Sequence, residues 1–161
     1  PVNGCFSAAQ AAIYQLVLDA QLAAIAAVKP GASFLTPHEA ALTVLAQGML
    51  DLHLLSGSLS EVIETESYKK FFMHRTSHWL GKDVHDAGSY RQGEQWTPLQ
   101  PGMVLTIEPG CYIRPAKDVP EAFWNIGVRI EDDVVVTKDG CEVLTDGVPK
   151  SPAEIEALMN A

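Results

Sequence analysis

Basic residues are in short supply. Eleven Lys and Arg stand against twenty Asp and Glu, a formal net charge of −9 with histidine neutral. A surface of that sign repels phosphate backbones and anionic lipid, which argues against nucleic acid and against a membrane as partners. Cysteine is scarce as well: Cys5, Cys111 and Cys141 are odd in number and far apart. They offer neither a disulfide framework nor zinc-finger spacing. Each is expected to be a small buried or half-buried hydrophobe, in a reducing cytoplasm. Long apolar runs are absent; Ala20 to Val28 contains Gln21 and is far shorter than the roughly 20 residues that cross a bilayer. No basic leader precedes an apolar segment, so no signal peptide is expected. Repeats, low-complexity tracts and blocks of like charge are also missing.

What is present suits a single globular unit. The 161 residues are 47% apolar, enough for a real core. Ser7-Ala8-Ala9-Gln10 is a capping box that opens a helix running to about Val28, where Lys29-Pro30-Gly31 ends it. Ile13, Leu16, Val17 and Ala20 make one stripe and Tyr14, Leu18, Leu22 and Ile25 another, so this helix is expected to be mostly buried. Thr36-Pro37-His38-Glu39 reads as a second capping box, opening a helix to about Leu55 with Ala41, Val44, Leu45 and Leu52 inward. Ser60 to Phe72 reads as shorter helical pieces. Beyond His74 the apolar runs shorten and become β-branched. Strands are expected at Met103–Glu108, Val128–Glu131 and Asp133–Thr137, with Lys138-Asp139-Gly140 turning the last into Cys141–Thr145. Ser151-Pro152-Ala153-Glu154 caps a final short helix. Helices first and antiparallel strands afterwards imply an α+β fold.

Three stretches carry candidate chemistry. His74, His78 and His85, three of the five histidines, lie within twelve residues, beside Trp79, Leu80 and Val84. Glu does not follow His74, so the His-Glu-x-x-His motif is absent. A single half-buried histidine is ordinarily a satisfied core residue; three together make a ligand or catalytic role as reasonable as that one. His38 and His53 lie on helices and are expected to be surface or cap residues. Glu108 ends a strand before Pro109-Gly110, a place where charged residues are commonly inert. Arg129 and Glu131 are two apart in a strand and share a face, which could equally be an ordinary solvated one. One imidazole with several carboxylates suits manganese, cobalt or zinc.

Taken jointly, His74-x3-His78-x6-His85, Thr106-Ile107-Glu108-Pro109-Gly110 and Gly127-Val128-Arg129-Ile130-Glu131-Asp132 resemble the pita-bread metallopeptidases, the methionine aminopeptidase, prolidase and aminopeptidase P family. The segment Ser77-His78-Trp79-Leu80-Gly81 with Asp83-Val84-His85-Asp86 is most similar to the aminopeptidase P and prolidase branch. The resemblance covers essentially the whole chain. It implies helices packed on a curved antiparallel sheet, with residues 1–161 forming the C-terminal portion of one pita-bread catalytic domain. It implies hydrolysis of Xaa-Pro bonds, at the N-terminus of peptides or in Xaa-Pro dipeptides, by a hydroxide shared between two divalent ions, manganese first and cobalt or zinc also accommodated. His78 is similar to the family's histidine ligand, Glu108 to the carboxylate on the same metal and Glu131 to the bridging glutamate. His74 and His85 match the histidines that hold substrate and stabilise the tetrahedral centre. Arg129 matches an arginine that orients ligands and proton relay, with Tyr112 beside it, and Glu108 can also accept the proton of the attacking water.

The family pattern also has two aspartate ligands shortly before the point where this chain begins. The chain opens on Pro1 rather than Met, so it is expected to be the C-terminal piece of a longer enzyme, working with its N-terminal portion as a partner and inactive alone. The resemblance further implies a homodimer. The competing reading is a pita-bread protein without metal, either a binding module or a creatinase-like hydrolase; retention of His78, Glu108 and Glu131 favours the metallopeptidase.

Overall fold

Ser7 opens the first helix as its sequence predicts. In the computed structural model, which describes Pro1–Ala161, the Gln10 N–H donates to the Ser7 hydroxyl and the Ser7 N–H to the Gln10 side chain. The helix, α1, spans Ala8–Ala27. Its first stripe is buried throughout (Ile13, Leu16, Val17, Ala20); of the second, Leu18 is buried and Leu22 is exposed. By length and composition α1 could cross a bilayer, contrary to the expectation from the uninterrupted apolar run alone. In this fold it is the central core helix.

The second helix, α2, spans Thr36–Asp51. It begins one residue earlier than the sequence suggests. Leu35 already has helical backbone angles and holds the cap position, so Thr36 is inside the helix and caps nothing. It also ends earlier than Leu55, because His53 takes a left-handed backbone (φ 57°) that stops helical propagation. Gly48 lets α2 lie directly against α1: a methyl there would collide with Leu16 Cδ1. Helix α3 (Leu59–Glu64) and a 3₁₀ turn (Ser67–Lys70) complete the helical half.

The strand half starts with a two-residue hairpin that hydropathy does not reveal, β1 (Arg91–Gln92) and β2 (Gln95–Trp96). Then follow β3 (Val104–Ile107), β4 (Gly110–Tyr112), β5 (Gly127–Arg129), β6 (Asp132–Val136) and β7 (Cys141–Val143), all paired antiparallel, and finally α4 (Pro152–Met159) with the expected Ser151 cap. The strands are split into short sheets, with order β3-β6-β7 in one and β4-β5 in another. One register nevertheless runs through both: Ile107 pairs with Asp132 and Gly110 with Arg129. The two short sheets are therefore one long hairpin interrupted at Glu108-Pro109 and Ile130-Glu131.

Helix α1 packs on β3, β4 and β5, and the core joins Ile13, Val17, Leu45 and Met49 to Leu105, Ile107, Val134 and Val136. Among the cysteines, Cys111 is buried, which pushes its thiol up to about 12, and Cys141 is half-buried. Cys5 departs from expectation: it is exposed, in the turn ahead of α1 where nothing packs over it. At the start of β6, buried Asp132 accepts hydrogen bonds from Gln21 Nε2 (3.1 Å), Thr145 Oγ1 (2.6 Å) and Lys150 Nζ (3.1 Å). These contacts tie α1 and the C-terminal segment to the strand that follows Glu131.

Candidate metal centre

Strand β3 brings the candidate residues together. On one side the segment Thr76–Leu80 runs antiparallel to it: Leu80 N–H donates to Val104 O (3.2 Å), Thr106 N–H to His78 O (3.0 Å) and Glu108 N–H to Thr76 O (2.7 Å). On the other side lies β6. The shared register places Glu108 directly across from Glu131. Ligand atoms of His78, Glu108 and Glu131 all lie within 4.8 Å of one another.

Hydrogen bonding sets the state of each donor. His78 Nδ1 lies 3.0 Å from Trp79 O, and a carbonyl can only accept, so Nδ1 carries the proton. Nε2 is left with its lone pair, 3.2 Å from Glu108 Oε1. In the neutral ring two acceptors then face each other, an arrangement that a cation between them makes favourable. Fixing the far nitrogen on a carbonyl is also how ligand histidines are oriented. Glu108 is buried, and Thr106 Oγ1 donates to its Oε1 (3.1 Å) while itself accepting from the His78 N–H (3.1 Å). Arg129 Nη1 approaches its other oxygen at 3.4 Å. Burial, then the facing Glu108 carboxylate, push the Glu131 carboxyl above its ordinary range. Like charges directly opposed across a strand pair are unfavourable. The donor set of one imidazole and two carboxylates therefore fits a divalent cation.

Beside it runs a second chain of contacts. Arg129 Nε–H donates to Tyr112 OH (2.7 Å), and that hydroxyl lies 2.9 Å from His74 Nε2. His74 Nδ1 lies 2.8 Å from Arg75 O, so it is the donor nitrogen and Nε2 accepts from Tyr112. His85 is exposed on the loop after Gly81, its ring set edge-on to His78 with centroids 4.4 Å apart. Asp86 stabilises that loop by accepting from Lys82 N–H (2.9 Å). All six candidates, His74, His78, His85, Glu108, Arg129 and Glu131, thus lie in one neighbourhood, with Tyr112 among them. Thr106 was missed. A strand threonine is unremarkable by itself; the available signal was its position two before Glu108, on the same face.

His38 corrects an expectation. It is neither a surface nor a cap residue: it is half-buried on α2 with Nδ1 2.9 Å from Thr76 Oγ1. Burial, then the charge of Arg75 and of His74, lower its pKa to about 4. Because the unfolded chain takes up a proton near pH 6.5 and the folded chain does not until about pH 4, stability falls as pH drops through that window and is unaffected above it. Urea unfolding should record a loss of about 2–3 kcal/mol from this group between pH 7 and pH 4. His38→Asn should lose less over the same range; an equal loss in both proteins would refute the assignment. His53, in contrast, is exposed as expected.

The model of metallopeptidase family M24 matches residues 2–138. The chain is 49% identical over 160 residues to the Xaa-Pro aminopeptidase of Haemophilus influenzae, covering 99% of this chain and 37% of that protein. It is 47% identical to the Xaa-Pro aminopeptidase of Escherichia coli, covering 100% and 36%. Among solved structures, an aminopeptidase of Pseudomonas aeruginosa superposes with a TM-score of 0.97 at 55% identity, and E. coli aminopeptidase P with the inhibitor Pro-Leu with 0.94 at 46%; each covers 99% of this chain and 36% of the other. The chain thus spans about a third of the length of the relatives it matches.

Proposed function

The chain belongs to metallopeptidase family M24, and from that we infer that residues 1–161 are the C-terminal portion of a pita-bread catalytic domain that hydrolyses Xaa-Pro bonds with bound divalent metal. The observation that carries the reading is the convergence of His78, Glu108 and Glu131 from three distant stretches. Those residues would hold two ions, manganese, cobalt or zinc, together with the two aspartates that the family pattern places ahead of Pro1. Glu108 and Glu131 would each offer carboxylate oxygens to the ions, where the imidazole of His78 would offer one free nitrogen. When bound, the metal lowers the pKa of water so that a nucleophile exists at neutral pH and polarises the scissile carbonyl.

The remaining steps belong to side chains. Glu108 is positioned by Thr106 and Arg129 to accept the proton of the attacking water at its carboxylate. An Xaa-Pro bond has no N–H, so the departing proline nitrogen must be given a proton. The proton that Glu108 takes from the attacking water is the one it can return to that nitrogen, while the Arg129–Tyr112–His74 chain holds the neighbouring imidazole in one orientation, Tyr112 OH donating to His74 Nε2. His85, exposed at the rim over His78, faces arriving substrate. Substrate is a proline-containing peptide or dipeptide, and the working protein is a cytoplasmic homodimer that includes the N-terminal portion.

The test uses the full-length protein stripped with a chelator and reloaded with manganese. Release of the N-terminal residue from Ala-Pro-Leu should vanish on stripping, return on reloading with about two equivalents of metal, and be absent for Ala-Ala-Leu. Cleavage that ignores the chelator or proline would overturn the reading. A protein that binds no divalent metal would restore the metal-free alternative.

A further inference from the structure

Away from the acidic ligands, a cavity of about 430 Å³ opens between Phe34, His38, Arg75, Ser77, Tyr90 and Trp96, with Arg91 at its edge. Two basic side chains line it beside aromatic rings. Arg75 and Arg91 both lie over the Trp96 ring, their guanidinium carbons 5.1 and 4.2 Å from its centroid. Carboxylates outnumber cations twenty to eleven in this chain, yet neither arginine has one within ion-pairing distance. Two unpaired guanidiniums against one aromatic ring, in a molecule rich in acids, are an arrangement for an incoming anion. Phe34 and Tyr90, with ring centroids 5.0 Å apart, supply an apolar wall beside them. Ser77 also lines the cavity, and its buried hydroxyl has no hydrogen-bond partner in the protein.

The geometry points to this cavity as a binding site for a peptide carboxylate: an acidic side chain held by Arg75 and Arg91, with a neighbouring apolar side chain on the Phe34–Tyr90 wall. Peptide is favoured over a free inorganic anion because the aromatic wall would be idle with the latter. The cavity also shares a five-residue segment with the metal centre: His74 and His78 turn to the metal centre, while Arg75 and Ser77 line the cavity. The choice of peptide rests on the peptidase reading; the site's preference for an anion does not.

The experiment is calorimetry on the full-length protein with acetyl-Leu-Glu-amide, acetyl-Leu-Gln-amide and inorganic phosphate as probes. The blocked peptides have no free N-terminus and no Xaa-Pro bond, so binding is measured without turnover. The Glu peptide should bind about tenfold or more tightly than its neutral isostere, as expected for charge-assisted hydrogen bonds. Arg91→Gln and Arg75→Gln, both at exposed positions, should each remove most of that preference while the thermal midpoint holds. Equal affinity for the two peptides, a preference that survives both substitutions, or phosphate binding as tightly as the Glu peptide would each overturn the proposal. Failure of the peptidase reading would show separately, as absent turnover with this preference intact.

Discussion

Replacing Glu131 by glutamine is expected to move stability and activity in opposite directions. In the metal-free protein the Glu131 and Glu108 carboxylates oppose one another across the strand pair, and their mutual repulsion helps to push the Glu131 carboxyl upward. Removing one charge should stabilise the metal-free protein by a few tenths to about 1 kcal/mol, the usual size of a cross-strand charge effect. On the function proposed above, the same change also removes one of the metal ligands. Xaa-Pro cleavage by the full-length protein should then fall about a thousandfold, roughly 4 kcal/mol of transition-state stabilisation, and metal stoichiometry should drop with it. Thermal melts with and without manganese, alongside kcat/KM, test both halves. A Glu131→Gln protein that melts lower than wild type without metal, yet retains full activity, would contradict the geometry on both counts. The general cause is that a cation site must gather like charges before the cation arrives, so its ligands oppose the metal-free fold.

Asp132→Ala should cause the largest loss of stability of any single change considered. Asp132 is 1% exposed and receives hydrogen bonds from Gln21, Thr145 and Lys150, which belong to the core helix and the C-terminal segment. Deleting it leaves the Lys150 ammonium, itself largely enclosed, without its carboxylate. Breaking one side of such a pair costs about 3–5 kcal/mol. The urea midpoint should fall accordingly with little change in slope. Asp132→Ala combined with Lys150→Met should recover part of the loss, since the second change removes the stranded charge. A single-variant loss below about 1 kcal/mol would mean that this network is not what holds the start of β6.

These two neighbours illustrate how function and folding divide a short segment. In β6 the side chains of Asp132, Val134 and Val136 turn inward to the core. Glu131, one residue earlier, turns to the opposite face, toward His78 and Glu108. The alternation that buries Asp132 is the same that presents Glu131. Anchoring the first therefore positions the second, and a slip of one residue would exchange their surroundings.

Elements governed by contacts three or four residues apart were legible in the chain. Ser7 with Gln10 and Ser151 with Glu154 form the capping boxes their spacing implies, and Lys138-Asp139-Gly140 turns β6 into β7 as read. Thr36 shows the limit of the same logic: its motif is correct, but the backbone at Leu35 is already helical and the cap goes unused. The pair β1 and β2 escaped because Arg91-Gln92 and Gln95-Trp96 are too short and too polar to leave a periodic trace. His38 was misjudged because helix position says nothing about what packs above it; Thr76, thirty-eight residues away, determines its environment.

Local order in sequence is thus enough to locate the main helices, the Ser7 and Ser151 caps, the longer strands and the residue types able to bind metal, since each depends on near neighbours along the chain. Proximity of those residue types is a different matter. The pairing of β3 with β6 decides that Glu108 faces Glu131, the docking of Thr76–Leu80 on the other edge of β3 decides that His78 joins them, and the fold alone brings Arg75 and Arg91 onto one tryptophan. Such long-range register follows from burying α1 and the strand faces in one core, a condition that no single stretch of sequence contains.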